Sequence, residues 1–164
     1  MPSPRSDLVA IFTDAAALFG ISRPAGQCLA TIWRAPNPPD ADAIMAATGL
    51  SRSAVSTALK ELRETGMVHA ERLQGTRRDG YSAPENAWAL LRQHLALRLR
   101  RDLMPLLDRL AALPADPGAV DLAKMLAAVS AWLEALRHMT PAEMEHEFAR
   151  TAPEPRAKKK KKKS

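Results

Sequence analysis

The sequence predicts a mainly α-helical chain carrying one small β-hairpin, on three observations. Apolar residues recur every three or four positions through most of the chain. Ala and Leu dominate while aromatics are few, which favours helix. Loose alternation occurs in one short stretch only, "MVHAERL", followed by the turn-like "QGTRRDG". At 164 residues the chain is long enough to bury a core in one or two small domains.

Taken in order, residues 7–19 place Leu8, Ile11, Phe12, Ala15, Leu18 and Phe19 on one helical stripe, with Ser6 as cap and Gly20 as terminator. Residues 24–34 form a second helix with Cys28, Leu29, Ile32 and Trp33 inward. "APNPPD" breaks it, and Asp40 caps a short helix over 41–48. Gly49 turns the backbone and Ser51 caps a helix over about 51–65. After the hairpin, Ser82 and Glu85 have capping-box spacing, with Pro84 between, and open a long helix over 84–112. Its apolar set includes Trp88, Leu91, Leu95, Leu99, Leu103, Leu106 and Leu110, and Pro105 predicts a kink or break. "LPADPG" stops it. A helix over 118–138 carries Val120, Leu122, Met125, Leu126, Val129, Leu133 and Leu136. Thr140 and Glu143 then box the start of a last short helix. The expected organisation is an N-terminal helix over 1–22, a helix-turn-helix with its hairpin over 23–83, a helical region over 84–149, and a disordered lysine-rich tail over 150–164.

Charge is informative only locally. The net +6 is supplied by six consecutive lysines at 158–163, and the rest of the chain is neutral. Within residues 51–78, however, Arg52, Lys60, Arg63, Arg72, Arg77 and Arg78 face only Glu61, Glu64 and Glu71. That is a modest basic face, compatible with phosphate. No apolar run approaches the roughly 18 residues of a membrane span. Asp7 and Asp14 interrupt the apolar positions at the start, which is therefore not read as a signal peptide. A lone Cys28 excludes an internal disulfide and suits a reducing cytoplasm.

The stretch "GLSRSAVSTALKELRETGMV" carries the functional signal. In a helix-turn-helix the first helix braces the second, which lies in the major groove of DNA. Here Ile44 and Ala47 face inward from the bracing helix, and Leu50 plugs the turn at Gly49. Val55, Ala58, Leu59 and Leu62 make a buried stripe on the next helix. Arg52, Ser53, Ser56, Thr57 and Lys60 are thereby left outward. Small hydroxyl side chains allow close approach to base edges, and Arg and Lys suit guanine or phosphate. Ser51 leaves amides at a positive helix end where a phosphate can sit. Arg77 and Arg78, beyond Gly75 at the hairpin tip, supply a second contact to backbone or minor groove. A solvated polar face is the bland alternative, as is a winged helix that serves as a protein–protein adaptor.

Residues 19–88, and within them "FGISRPAGQ", "LSRSAVSTALKELRETGMV" and "GTRRDGYSAPENAW", resemble the MarR superfamily of winged-helix regulators, in its GbsR-like branch. The resemblance implies a homodimeric, cytoplasmic transcriptional regulator, usually a repressor, whose terminal helices form the dimer interface. It places Ser53, Ser56 and Thr57 on the DNA-facing side of the recognition helix and Arg77 and Arg78 in the wing. Thr48 departs from the pattern, since such bracing helices usually carry a bulky aliphatic there.

The partners expected are therefore double-stranded DNA, read as a pseudo-palindromic operator, and a second copy of the chain. The helix over 84–112 is too leucine-rich to be covered by a small winged helix. It is expected to pack with residues 7–19 and 118–138 of a partner, an intramolecular bundle being the alternative. A small-molecule effector is left open. Some GbsR-like proteins respond to quaternary ammonium compounds, but Trp33, Trp88 and Trp132 read more simply as core residues. Cys28 reads as packing, and Glu143, His146 and Glu147 as a solvated face rather than a metal site. No glycine loop for phosphate, paired-cysteine motif or nucleophile with a base is present, so neither an enzyme nor a cofactor is expected.

Overall fold

The computed structural model describes residues 4–113 and 116–151. The lysine-rich tail expected over 150–164 lies, beyond Thr151, outside the described residues. In chain order the elements are α1 (Pro4–Leu18), α2 (Arg23–Trp33), α3 (Ala41–Thr48), α4 (Arg52–Glu64), β1 (His69–Arg72), β2 (Asp79–Ser82), α5 (Ala87–Arg98), a π-helical turn (Leu99–Leu103), α6 (Met104–Ala111), α7 (Pro117–His138) and α8 (Pro141–Thr151).

The first helix departs from its expected orientation. It begins at Pro4, so Ser6 lies inside it and is not its cap. Its buried residues are Thr13 and Ala16, while Leu8, Ile11, Leu18 and Phe19 are exposed, Ile11 by 65% and Leu18 by 84%. The cause is a close helix crossing. A Cβ added at Gly26 of α2 would lie 3.2 Å from the Thr13 Cα, so only small residues fit between the helices. α1 therefore turns its small face to α2 and leaves its large side chains outside. The buried Thr13 hydroxyl is satisfied by donating to the Val9 carbonyl at 2.7 Å.

α2 is the central helix of the first core. Ser22 caps it, and Cys28, Leu29 and Ile32 are buried. Trp33 is half-buried; its ring lies 5.1 Å from that of Phe12, and its Nε1–H donates to the Pro84 carbonyl at 3.0 Å. Asp40 caps α3 by accepting from the Ala43 amide, and Gly49 ends it at φ +71°. Ile44 is fully buried as expected, but Ala47 is exposed. Two turns of helix wedged between α2, α4 and β2 cover one narrow face, and Met45 takes the partly buried place instead. Thr48 is accommodated through hydrogen bonds: its hydroxyl donates to the Ile44 carbonyl and accepts from the Leu50 amide. Val55, Ala58, Leu59 and Leu62 of α4 complete this core with Met67 and Val68. β1 and β2 pair antiparallel, His69 opposite Ser82 and Arg72 opposite Asp79.

The helix expected over 84–112 starts later and is divided. Ser82 and Glu85 form no capping box; Asn86 is the cap, accepting from the Ala89 amide at 2.8 Å. The bond from Trp33 to the Pro84 carbonyl holds residues 83–85 against α2, and the helix begins beyond it. Pro105 produces the predicted irregularity as a π turn, in which the Met104 amide reaches the Leu99 carbonyl five residues back. The turn also serves packing. Leu95, Leu99, Leu103 and Leu107 are spaced by four, and such a row drifts by roughly 40° per step on a regular α-helix. The wider π turn offsets the drift and keeps all four in one cluster with Leu126 and Leu133 of α7.

α7 is capped by Asp116, and α8 by the reciprocal box in which Thr140 and Glu143 exchange bonds. Much of α7 remains uncovered: Val120, Leu122, Met125, Val129 and Trp132 are all exposed, Trp132 by 54%. Part of the expected bundle is thus intramolecular, with α7 packed against α5, the π turn and α6, while those five side chains stay exposed among the described residues.

Candidate nucleic-acid interface

The surface built by α3, α4 and the hairpin gathers the residues singled out in the sequence. Ser51 is exposed and caps α4 by accepting from the Ala54 amide at 3.3 Å, with its Oγ 3.1 Å from that of Ser53. Arg52, Ser53, Ser56, Thr57 and Lys60 are all exposed along the helix. The buried stripe of α4 fixes this orientation, because the two faces of one helix cannot both turn inward. Ser53 and Thr57 line a shallow groove with Ser22 and Pro24 at the start of α2. Lys60 has Glu64 at 3.9 Å, a loose exposed pair.

The hairpin tip divides its two arginines. Gly75, at φ +75°, reverses the chain between Leu73 and Arg78, whose backbones are bonded at 3.0 Å. Arg77 is exposed and its guanidinium forms no ion pair among the described residues. Arg78 instead reaches α3, with Nη1 2.7 Å from Asp40 and 3.2 Å from Asp42. The same Asp42 pairs through its other oxygen with Arg52 at 3.1 Å. Asp40, Arg78, Asp42 and Arg52 therefore form one chain of charges across three elements. The Ala43 amide and the Arg78 guanidinium hold the Asp40 carboxyl below the usual carboxylate range, and the Arg78 pKa is raised in turn.

Two participants carry no local signal in the sequence. Asp42 has its partners 10 and 36 positions away, beyond any local pattern. Glu61 reads in sequence only as a charge. It accepts from both the amide and the hydroxyl of Ser22, at 2.7 and 2.6 Å, joining α4 to the start of α2.

The other candidates occupy separate places. Trp88 and Trp132 flank Phe148, at 5.4 and 6.1 Å between ring centres, and Trp33 lies apart against Phe12. Trp132 is thus not a core residue. Burial pushes the Cys28 thiol up to about 11, which makes it inert at neutral pH. Glu143 is engaged by Thr140 and Glu147 by Arg150.

An apolar cavity of about 330 Å³ lies between α1, α2 and α5, lined by Phe12, Phe19, Leu29, Trp33, Leu90 and His94 among others. His94 is 3% exposed and its Nδ1 has no partner among the described residues. Burial, with Arg98 and Arg101 nearby, lowers its pKa and keeps the imidazole neutral. No described helix is long and apolar enough to cross a membrane.

A solved structure described as the crystal structure of a transcriptional regulator has a similar fold, with a TM-score of 0.55 at 19% identity, covering 90% of this chain and 95% of that one. No curated protein matches the chain. Residues 19–79, from just after α1 through the helix-turn-helix to the first residue of β2, match the model of the MarR family.

Proposed function

We propose that the chain is a MarR-type transcriptional regulator that binds double-stranded DNA, with α4 in the major groove and the hairpin as its wing. The observation that carries this is the open hydroxyl-rich face of α4, bounded by cations on α4 and the hairpin, on the segment that matches the family model. Ser51, Arg52, Ser53, Ser56, Thr57 and Lys60 meet bases and neighbouring phosphates, and Arg77 and Arg78 meet the backbone. The resemblance of residues 19–88 supports the GbsR-like branch, repression and a cytoplasmic site of action.

The active form is a homodimer on a pseudo-palindromic operator. The exposed apolar residues of α1 and α7 support this, since an isolated soluble chain seldom leaves such a surface uncovered. The apolar cavity is the natural seat for an effector, because α2 forms one wall and is bonded to α4 through Ser22 and Glu61. Its lining, with a neutral His94 beside two arginines, suits an uncharged apolar ligand better than a quaternary ammonium ion.

Selection of bound fragments from random-sequence DNA tests this reading. Recovery of a motif with two inverted halves is expected, and Arg52→Ala or Ser56→Ala should alter the preferred bases. Absence of both a motif and salt-dependent retention of DNA would favour a protein-binding winged helix instead.

A further inference from the structure

The proposed DNA surface contains two carboxylates that a phosphate-binding face would be expected to lack. Asp40 and Asp42 lie at the start of α3, and both are engaged by cations that the DNA would need. Asp40 has a separate duty as the cap of α3. Asp42, in the first turn of α3, caps nothing: its Oδ1 faces Arg52 of the recognition helix and its Oδ2 faces Arg78 of the wing.

We propose that Asp42 is a specificity-determining positioning residue, which restrains Arg52 and Arg78 and so penalises binding to non-cognate DNA. This rests on the DNA-binding reading above. The argument is one of differences. A free arginine gains the full attraction of any phosphate, whatever the sequence. An arginine already paired with Asp42 gains only the difference between two anions, and its departure leaves an uncompensated carboxylate beside the DNA. A guanine edge that takes Arg52 through two hydrogen bonds outweighs that loss, whereas a phosphate alone does not. Because a single carboxylate serves both arginines, the recognition helix and the wing are coupled. Arg77, with no ion pair among the described residues, is the internal contrast: it supplies attraction without selectivity.

The test uses the full chain and its Asp42→Asn variant, which keeps shape and acceptor capacity but removes the charge. Binding is titrated on a duplex recovered by selection and on a random-sequence duplex of equal length, across a range of salt. Affinity of the variant for random DNA should rise about three- to tenfold, with a salt slope steeper by about one ion. The selected site should gain less, so that the ratio of the two affinities falls. Asp40→Asn, which retains a good helix cap, should give a smaller change in the same direction. An unchanged or increased ratio would overturn the proposal, as would a parallel loss of both affinities, which would mark Asp42 as merely structural. Wild-type protein that binds neither duplex in a salt-dependent way would instead overturn the DNA-binding reading, and this inference with it.

Discussion

The two halves of the molecule bury their apolar residues very differently. Around α2 and α4, Leu29, Ile44, Val55 and Leu62 are essentially inaccessible, and the polar groups beside them are capped or bonded. Around α7 the buried residues are fewer: Leu99, Leu103 and Leu133 form a thin seam, with Leu136 and Met144 buried beyond it, and beside them Leu122, Met125, Val129 and Trp132 stand exposed to solvent. Both halves have comparable helix signals in sequence, so the contrast does not come from helix propensity. One half is closed by its own neighbours, and the other leaves large apolar side chains exposed, the surface assigned above to the proposed dimer.

The largest effect should come from the closed half. Leu62→Ala removes a fully buried side chain and should lower unfolding stability by about 2–5 kcal/mol, read by denaturant titration. A value below 1 kcal/mol would show that this core is looser than its burial implies. The open half should respond differently: Met125→Glu should change stability by less than about 0.5 kcal/mol. It should nevertheless weaken self-association at least about tenfold, by sedimentation, since an interface would have to bury the new charge. An unchanged mass at every concentration would remove α7 from the interface.

Where α1 and α5 meet, pH sharpens the comparison. The His94 pKa is lowered by burial first and then by Arg98 and Arg101, with Asp102 and the Phe19 carbonyl opposing. The unfolded chain therefore binds the proton more readily than the folded one. Its contribution is fully present above about pH 6.5 and is lost as pH falls from there through the folded value. His94→Gln should flatten that acid limb; an identical pH profile would mean that another group controls it. The smallest effect belongs to the wing. Arg77→Ala should reduce the salt slope of DNA binding by about one ion with no change in preferred sequence. Arg78→Ala should also alter preference, because it frees Asp42 to pair with Arg52 alone.

What could be read from the sequence follows the range of the interactions involved. The buried stripe of α4, the caps at Asp40, Ser51 and Thr140, and the turn at Gly49 depend on residues within four positions of one another, and all appear as expected. The facing of α1 does not, because a crossing at Gly26 and Thr13 outweighs its hydrophobic stripe. Asn86 displaces the Ser82–Glu85 box through a tryptophan bond spanning 51 positions. The division of Arg77 from Arg78 depends on carboxylates some 38 positions away, although the two sit side by side in sequence. The π turn had a usable signal in the four-residue spacing of Leu95, Leu99, Leu103 and Leu107 ahead of Pro105.

The Glu61 carboxylate has a mechanical consequence. By taking both donors of Ser22 it fastens the entrance of α2 to α4, with the shared core filling the space between. Such a head travels as a single block. Under the proposed pairing of two chains, a signal would alter the span and tilt between two such blocks, as the jaws of a calliper open, while each jaw keeps its shape.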